Sequence, residues 1–184
     1  MREKSADPRR LELGAFSRNG GRIAGESSQS GLGRLAESTL AVPGDTAPPP
    51  VAWRAQGEQR PVVGGEPEVW LHLQAQTSVT LQCQRCLQPM TEPLVVDRRL
   101  QFVRGEETAA QLDEDSEHDV LALPPRLDLI ALLEDELILA LPIVPRHGVC
   151  PQPLAVPAGA PAAAEDEPAH PFAALASLRG PTGA

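Results

Sequence analysis

The stretch "VWLHLQAQTSVTLQC", residues 69–83, decides how the fold is read. Val69, Leu71, Leu73 and Ala75 alternate with Trp70, His72, Gln74 and Gln76, and Thr77, Val79, Leu81 and Cys83 continue the first parity. A two-residue period is that of extended chain with one buried face and one wet face. The polar residues at 76–78 suggest one fold in this extended chain. Downstream, "PLVVDRRLQFV" (93–103) reads as a second strand. A short link between neighbouring strands makes antiparallel pairing the simplest arrangement. The link itself carries "CQRC", residues 83–86.

Working outward, "GEETAAQLDEDSEHDV" (105–120) lacks periodicity and reads as an acidic loop, with a composition suited to disorder. The helix signal follows in "LDLIALLEDELILAL". Asp128 is placed to cap its start, Pro142 to stop it, and Leu129, Leu133, Leu137 and Leu141 fall on one face, broadened by Ile130 and Leu132. The expected fold is therefore α+β: a mainly antiparallel sheet covered by one long helix, with irregular or disordered extensions. The expected organisation is an N-terminal arm (1–42) partly packed on the domain, a Pro/Gly-rich connecting segment (43–68), a core domain (69–150) and a Pro/Ala-rich tail (151–184). That tail ends in the small apolar module "HPFAALASL".

The 184 residues suit one domain with extensions. The chain has three Phe, two Trp and no Tyr, so its core must be built from Leu, Val, Ala and Ile. Its formal net charge of -9 disfavours nonspecific phosphate binding by the whole molecule. The charge is divided, however, between a basic arm (1–34) and the acidic segment 105–120. No signal-peptide core opens the chain, and the longest apolar run is broken by four acids, so a cytoplasmic location is expected with no membrane contact. Three cysteines do not make a secreted disulfide framework.

Cys83 and Cys86 have the spacing that lets two thiolates bind one zinc, and a closed tetrahedral site needs two further ligands. His147 and Cys150, in "RHGVC" just after the helix, supply them. The same four residues also fit reduced, partly buried cysteines without a metal. Thiol redox chemistry is disfavoured, because Pro89 and Pro93 prevent the long helix that would follow an activated first cysteine. Glu134, Asp135 and Glu136 stand about 100° apart around a helix and so fan outward rather than converge. They are expected to be a solvated stripe, with one acid hydrogen-bonded, or a contact for a basic protein. Arg98, Arg99 and Arg104 form a small basic patch near the cysteine loop, although strand geometry sends Arg98 and Arg99 to opposite faces, and Arg85, Arg98 and Arg99 are the candidate interaction arginines. His72 and His118 have no motif partners. No phosphate loop, zinc-protease motif, nucleophile elbow or aromatic stacking platform is present, so no enzymatic activity, DNA partner or small-molecule substrate is expected.

"VTLQCQRCLQPM", "LDLIALLEDELILALPIVPRHGVC" and "HPFAALASLRG", in that order, closely resemble the YceD family of large ribosomal RNA subunit accumulation proteins. "GRLAESTLAV" falls where that family has a similar run, so the resemblance spans 30–179. It implies a non-enzymatic factor for synthesis, processing or stability of 23S rRNA, with a large-subunit ribosomal protein or pre-23S rRNA as partner. The family's characteristic residues map onto Cys83, Arg85, Cys86, Asp128, Glu134, Glu136, Leu141 and Pro142. Many members outside the proteobacteria carry more cysteines after the helix, whereas this chain has His147 and Cys150. A zinc-stabilised interaction module without a ribosomal role is the alternative.

Overall fold

The computed structural model describes residues 7–41 and 47–151. The C-terminal module at 170–179 and the first residues of the basic arm lie outside the described residues. Five strands form one open sheet in the order β1-β2-β3-β4-β5: β1 (Arg22–Ser27), β2 (Val51–Arg60), β3 (Glu68–Gln82), β4 (Pro89–Val103) and β5 (Val120–Ala122). The first three junctions are antiparallel and the last is parallel. Among the described residues four α-helices and a 3-10 turn (Gln29–Gly31) accompany them: α1 (Leu13–Arg18), α2 (Gly33–Glu37), α3 (Glu106–Asp113) and α4 (Leu129–Leu139).

The α+β expectation holds, with two corrections: the sheet is mixed, and several short helices replace one long one. The alternation in 69–83 makes one uninterrupted strand of 15 residues, not a folded pair. Thr77 and Ser78 pair without a break to Leu94 and Pro93. The polar break in the pattern marks instead where β2 leaves, since its last partner on β3 is Gln76, opposite Ala52. Beyond that point the buried Gln29 takes over, its side-chain amide donating to Thr77 Oγ1 at 3.0 Å and to the carbonyl of Ser78 at 2.9 Å. The segment 43–68 contains β2, a ten-residue strand whose residues alternate buried and exposed from Val51 to Glu58. Acidic residues 106–113 form α3, and the chain then returns at 120–122 to pair beside β4.

Apolar positions on one face of the sheet make the core. Val51, Trp53 and Ala55 from β2, Leu71, Leu73, Ala75, Val79 and Leu81 from β3, and Leu94, Val96 and Leu100 from β4 are all buried there. Leu129, Ile130, Leu133 and Leu137 of α4 join them, with Leu35 of α2 and the N-terminal Leu11 and Leu13. Leu11 is fixed by a two-way backbone bridge to Leu127. Helix α1 rests directly on β2 at Gly57, where a Cβ atom would lie 2.6 Å from the Phe16 ring and 2.9 Å from the Ser17 backbone. The opposite face is polar. Across it Arg54 donates to Gln74, Gln74 donates to Asp97, and His72 also meets Asp97, each at 2.6 Å. His118, without a partner by motif, stands edge-on to Trp70 at 5.3 Å, and Arg60 lies 4.2 Å over the same indole.

On its outer side β4 meets β5 only at Gln101–Val103. There Gln101 donates its backbone N–H to Asp119, and the Val103 carbonyl accepts from Leu123. The odd-numbered residues of β4 therefore direct their backbone groups outward, and Pro89–Leu100 has no strand beside it on that side among the described residues.

Candidate metal centre

The β3–β4 hairpin closes through Cys83–Gln88, which places both cysteines of "CQRC" at its tip, as their position between two strands predicts. The tip is a tight knuckle. Cys83 N–H donates to the carbonyl of Gln88 at 3.0 Å, Leu87 N–H donates back to the carbonyl of Cys83 at 2.8 Å, and Leu87 adopts φ 60°, a left-handed conformation that a branched side chain rarely takes. The second half arrives from α4. Asp128 caps that helix, accepting from the N–H groups of Ile130 and Ala131 at 3.0 Å each. After α4 ends, the chain runs back to the hairpin, where Gln84 N–H donates to the carbonyl of Pro145 at 2.9 Å.

The ligand atoms of Cys83, Cys86, His147 and Cys150 all lie within 4.8 Å of one another. Cys83 Sγ is 3.9 Å from Cys150 Sγ, and Cys86 Sγ is 3.3 Å from His147 Nδ1. A zinc–sulfur bond of about 2.3 Å in a regular tetrahedron gives an edge of about 3.8 Å between sulfurs, and about 3.5 Å where one ligand is a nitrogen. The two separations fit those edges, and three sulfurs with one imidazole are a donor set suited to zinc. Cys83 and Cys86 are buried, and His147 and Cys150 are partly so.

Local electrostatics favour a ligand at Cys83. Burial pushes this thiol up, but the backbone N–H groups of His147, Arg85 and Cys86 together hold it down to about 5. The His147 N–H lies 3.4 Å from its sulfur. Cys86 moves the other way: burial raises it, and the neighbouring Cys150 and Cys83 sulfurs add to the rise.

The remaining residues singled out in the sequence fall in different places. Arg85 turns inward across the knuckles, its Nε donating to Cys150 Sγ at 3.0 Å and its Nη2 to the carbonyl of His147 at 2.9 Å. Arg98 and Arg99 diverge as strand parity requires. Arg98, paired with Leu73 on the core side, reaches Glu136 of α4 at 3.2 Å, whereas Arg99 stands opposite His72 on the polar face. The three acids of α4 also separate. Glu136 is buried against Arg98, Glu134 is buried against α2, and Asp135 reaches Arg34 while half exposed. Two of the three are therefore occupied inside the protein rather than forming a solvated stripe. Sequence reasoning missed Arg34, which lies a hundred residues from its partner Glu134. No local spacing signals such a pair.

Several exposed apolar side chains lie in the same chain segments. Leu87 belongs to the first knuckle, and Leu139, Ile143, Val144 and Val149 to the stretch from the end of α4 into the second.

A model of the family described as large ribosomal RNA subunit accumulation protein YceD matches residues 71–179, a span that contains both knuckles and α4. The chain belongs to the YceD family. The YceD protein of Haemophilus influenzae, itself described as a large ribosomal RNA subunit accumulation protein, is 32% identical over 162 residues, covering 80% of this chain and 82% of that protein. No solved structure shows a significant match. The YceD match and the hairpin knuckle coincide, so the best-defined chemistry of the chain lies inside the family region.

Proposed function

We propose that the chain is a non-enzymatic ribosome-biogenesis factor that promotes synthesis, processing or stability of 23S rRNA in the cytoplasm. It would act by contact with a large-subunit ribosomal protein or with pre-23S rRNA. Membership of the YceD family carries this reading, together with the description of the Haemophilus influenzae relative. The four-residue cluster holds a zinc ion in a structural role, since three cysteines and a histidine would fill every tetrahedral position and leave none for substrate or water. A non-catalytic role also agrees with the acids of α4, because Glu134 and Glu136 are engaged by separate arginines instead of converging on one point.

The deciding experiment removes the gene and measures 23S and 16S rRNA in growing cells. Selective loss of 23S is expected, and equal loss of both would overturn the reading. Affinity capture of the tagged protein, with attached rRNA and proteins identified, then separates the two partner classes. A second reading, a zinc-stabilised protein-interaction module without a ribosomal role, draws on the exposed Leu87, Leu139, Ile143, Val144 and Val149 in and beside the knuckles. Normal 23S levels in the deletion strain, alongside stoichiometric zinc in the protein, would favour it.

A further inference from the structure

The geometry assigns Arg85 as a positioning residue that clamps Cys150 into the zinc site, an inference that rests on the zinc reading above. The four ligands are held unequally. Cys83 and Cys86 are buried in a hairpin turn fixed by its own backbone hydrogen bonds and by the sheet behind it. His147 and Cys150 belong to irregular chain beyond α4, and Cys150 is only partly buried. Besides the Gln84–Pro145 backbone bond and the His147 N–H at Cys83 Sγ, one side chain ties that chain to the hairpin, and it alone donates to Cys150. Arg85 Nε donates to Cys150 Sγ at 3.0 Å, and Nη2 reaches the carbonyls of His147 at 2.9 Å and Gly148 at 3.4 Å. Although Arg85 is an exposed residue, its guanidinium makes all three of these hydrogen bonds to the ligand loop.

Charge gives the same assignment. Three thiolates and a neutral imidazole around a divalent cation leave one net negative charge, which is costly in a site with two buried ligands. The Arg85 guanidinium supplies the compensating positive charge at the most exposed sulfur. Its planar fork also serves a sulfur and two carbonyls at once, which a lysine ammonium on a flexible stem does not. Loss of Arg85 should therefore free the Cys150 arm while leaving Cys83 and Cys86 in place.

The test measures zinc affinity of the full chain by competition with a chromophoric chelator, with far-ultraviolet circular dichroism confirming the fold of each variant. Arg85→Gln should still take up one zinc at saturation but bind it about 10- to 100-fold more weakly, the usual loss when a group supporting a metal ligand is removed. Arg104→Gln, the same charge change at an exposed arginine outside the site, should leave affinity unchanged. In a Cys150→Ala background, Arg85→Gln should cost much less than in the wild type. Arg85→Lys should recover only part of the loss. Absence of zinc from the wild-type protein would overturn the zinc reading and this inference with it. A wild type that binds zinc would leave that reading standing while any of four results overturned the clamp: no loss in Arg85→Gln, an equal loss in Arg104→Gln, an undiminished loss without Cys150, or full recovery by lysine.

Discussion

Glu134 lies in α4 but completes a different helix. Its Oε1 accepts from the backbone N–H groups of Arg34 at 2.7 Å and Leu35 at 3.2 Å, at the start of α2, where Leu32 has no side chain able to cap. Its Oε2 meets the Arg34 guanidinium at 3.0 Å. Replacing Glu134 by Ala strands two helix N–H groups and should cost about 2 kcal/mol, read from urea unfolding. The same contacts set a pH dependence. Burial pushes the Glu134 carboxyl up, but the Leu35 N–H and the Arg34 side chain and N–H outweigh it, so it titrates below its ordinary 4.5. The unfolded chain then takes up the proton first on acidification. The stabilisation is complete above the ordinary value and is lost as pH falls through the lowered folded value. Unfolding midpoints followed from neutral pH to below 4.5 should fall less steeply in Glu134→Gln than in wild type. Arg98→Ala, which leaves the buried Glu136 without its cation, should destabilise by about 2 kcal/mol, and much of that loss should vanish in an Arg98→Ala/Glu136→Gln double variant. Little of this was legible in "LLEDEL": adjacent helix positions announce divergence, but they do not say that all three acids meet arginines brought in by distant chain.

At the scale of elements, the sequence signal was clear where burial alternates residue by residue and weak where an element is short or polar. Residues 69–82 alternate because one face of β3 lies on the core, and Asp128 announces α4 because a cap must sit next to the N–H groups it satisfies. The four residues of the candidate metal centre were legible because paired ligands need only short local spacings. Helix α3 buries only Ala109, and β5 has three residues, so neither leaves a pattern. β2 was hidden by the prolines and glycines flanking it. Gly57, which belongs to that obscured strand, is where α1 comes closest. Gly57→Ala should force α1 off β2 and lower stability by about 1–3 kcal/mol in thermal or urea unfolding. The proposed zinc also belongs to this scale. Stripping it with a chelator should speed amide hydrogen exchange at 83–88 and 145–150, while the central amides of β3 and β4, held by paired neighbours on the sheet, stay slow.

The whole molecule combines a net negative charge with an open sheet whose β4 is flanked by β5 only at Gln101–Val103. A contact of this chain with ribosomal precursors through apolar side chains should survive moderate salt, whereas a phosphate-tracking contact through its arginines should weaken steeply. Comparing capture at low and moderate ionic strength checks this. The flank of β4 that pairs with no strand among the described residues bears on the molecule's solubility. A bare row of outward backbone groups is a template on which a second chain can stack, the first step toward a fibre. Gln101 and Val103 show which parity faces out, and Pro89 and Pro93 share it. At both positions the outward donor is missing because proline has no N–H. The prolines that spoil a helix after "CQRC" thus remove two donors from the first part of that row. Replacing both prolines by residues with a backbone N–H should therefore raise the tendency of the protein to self-associate, read by light scattering at rising concentration.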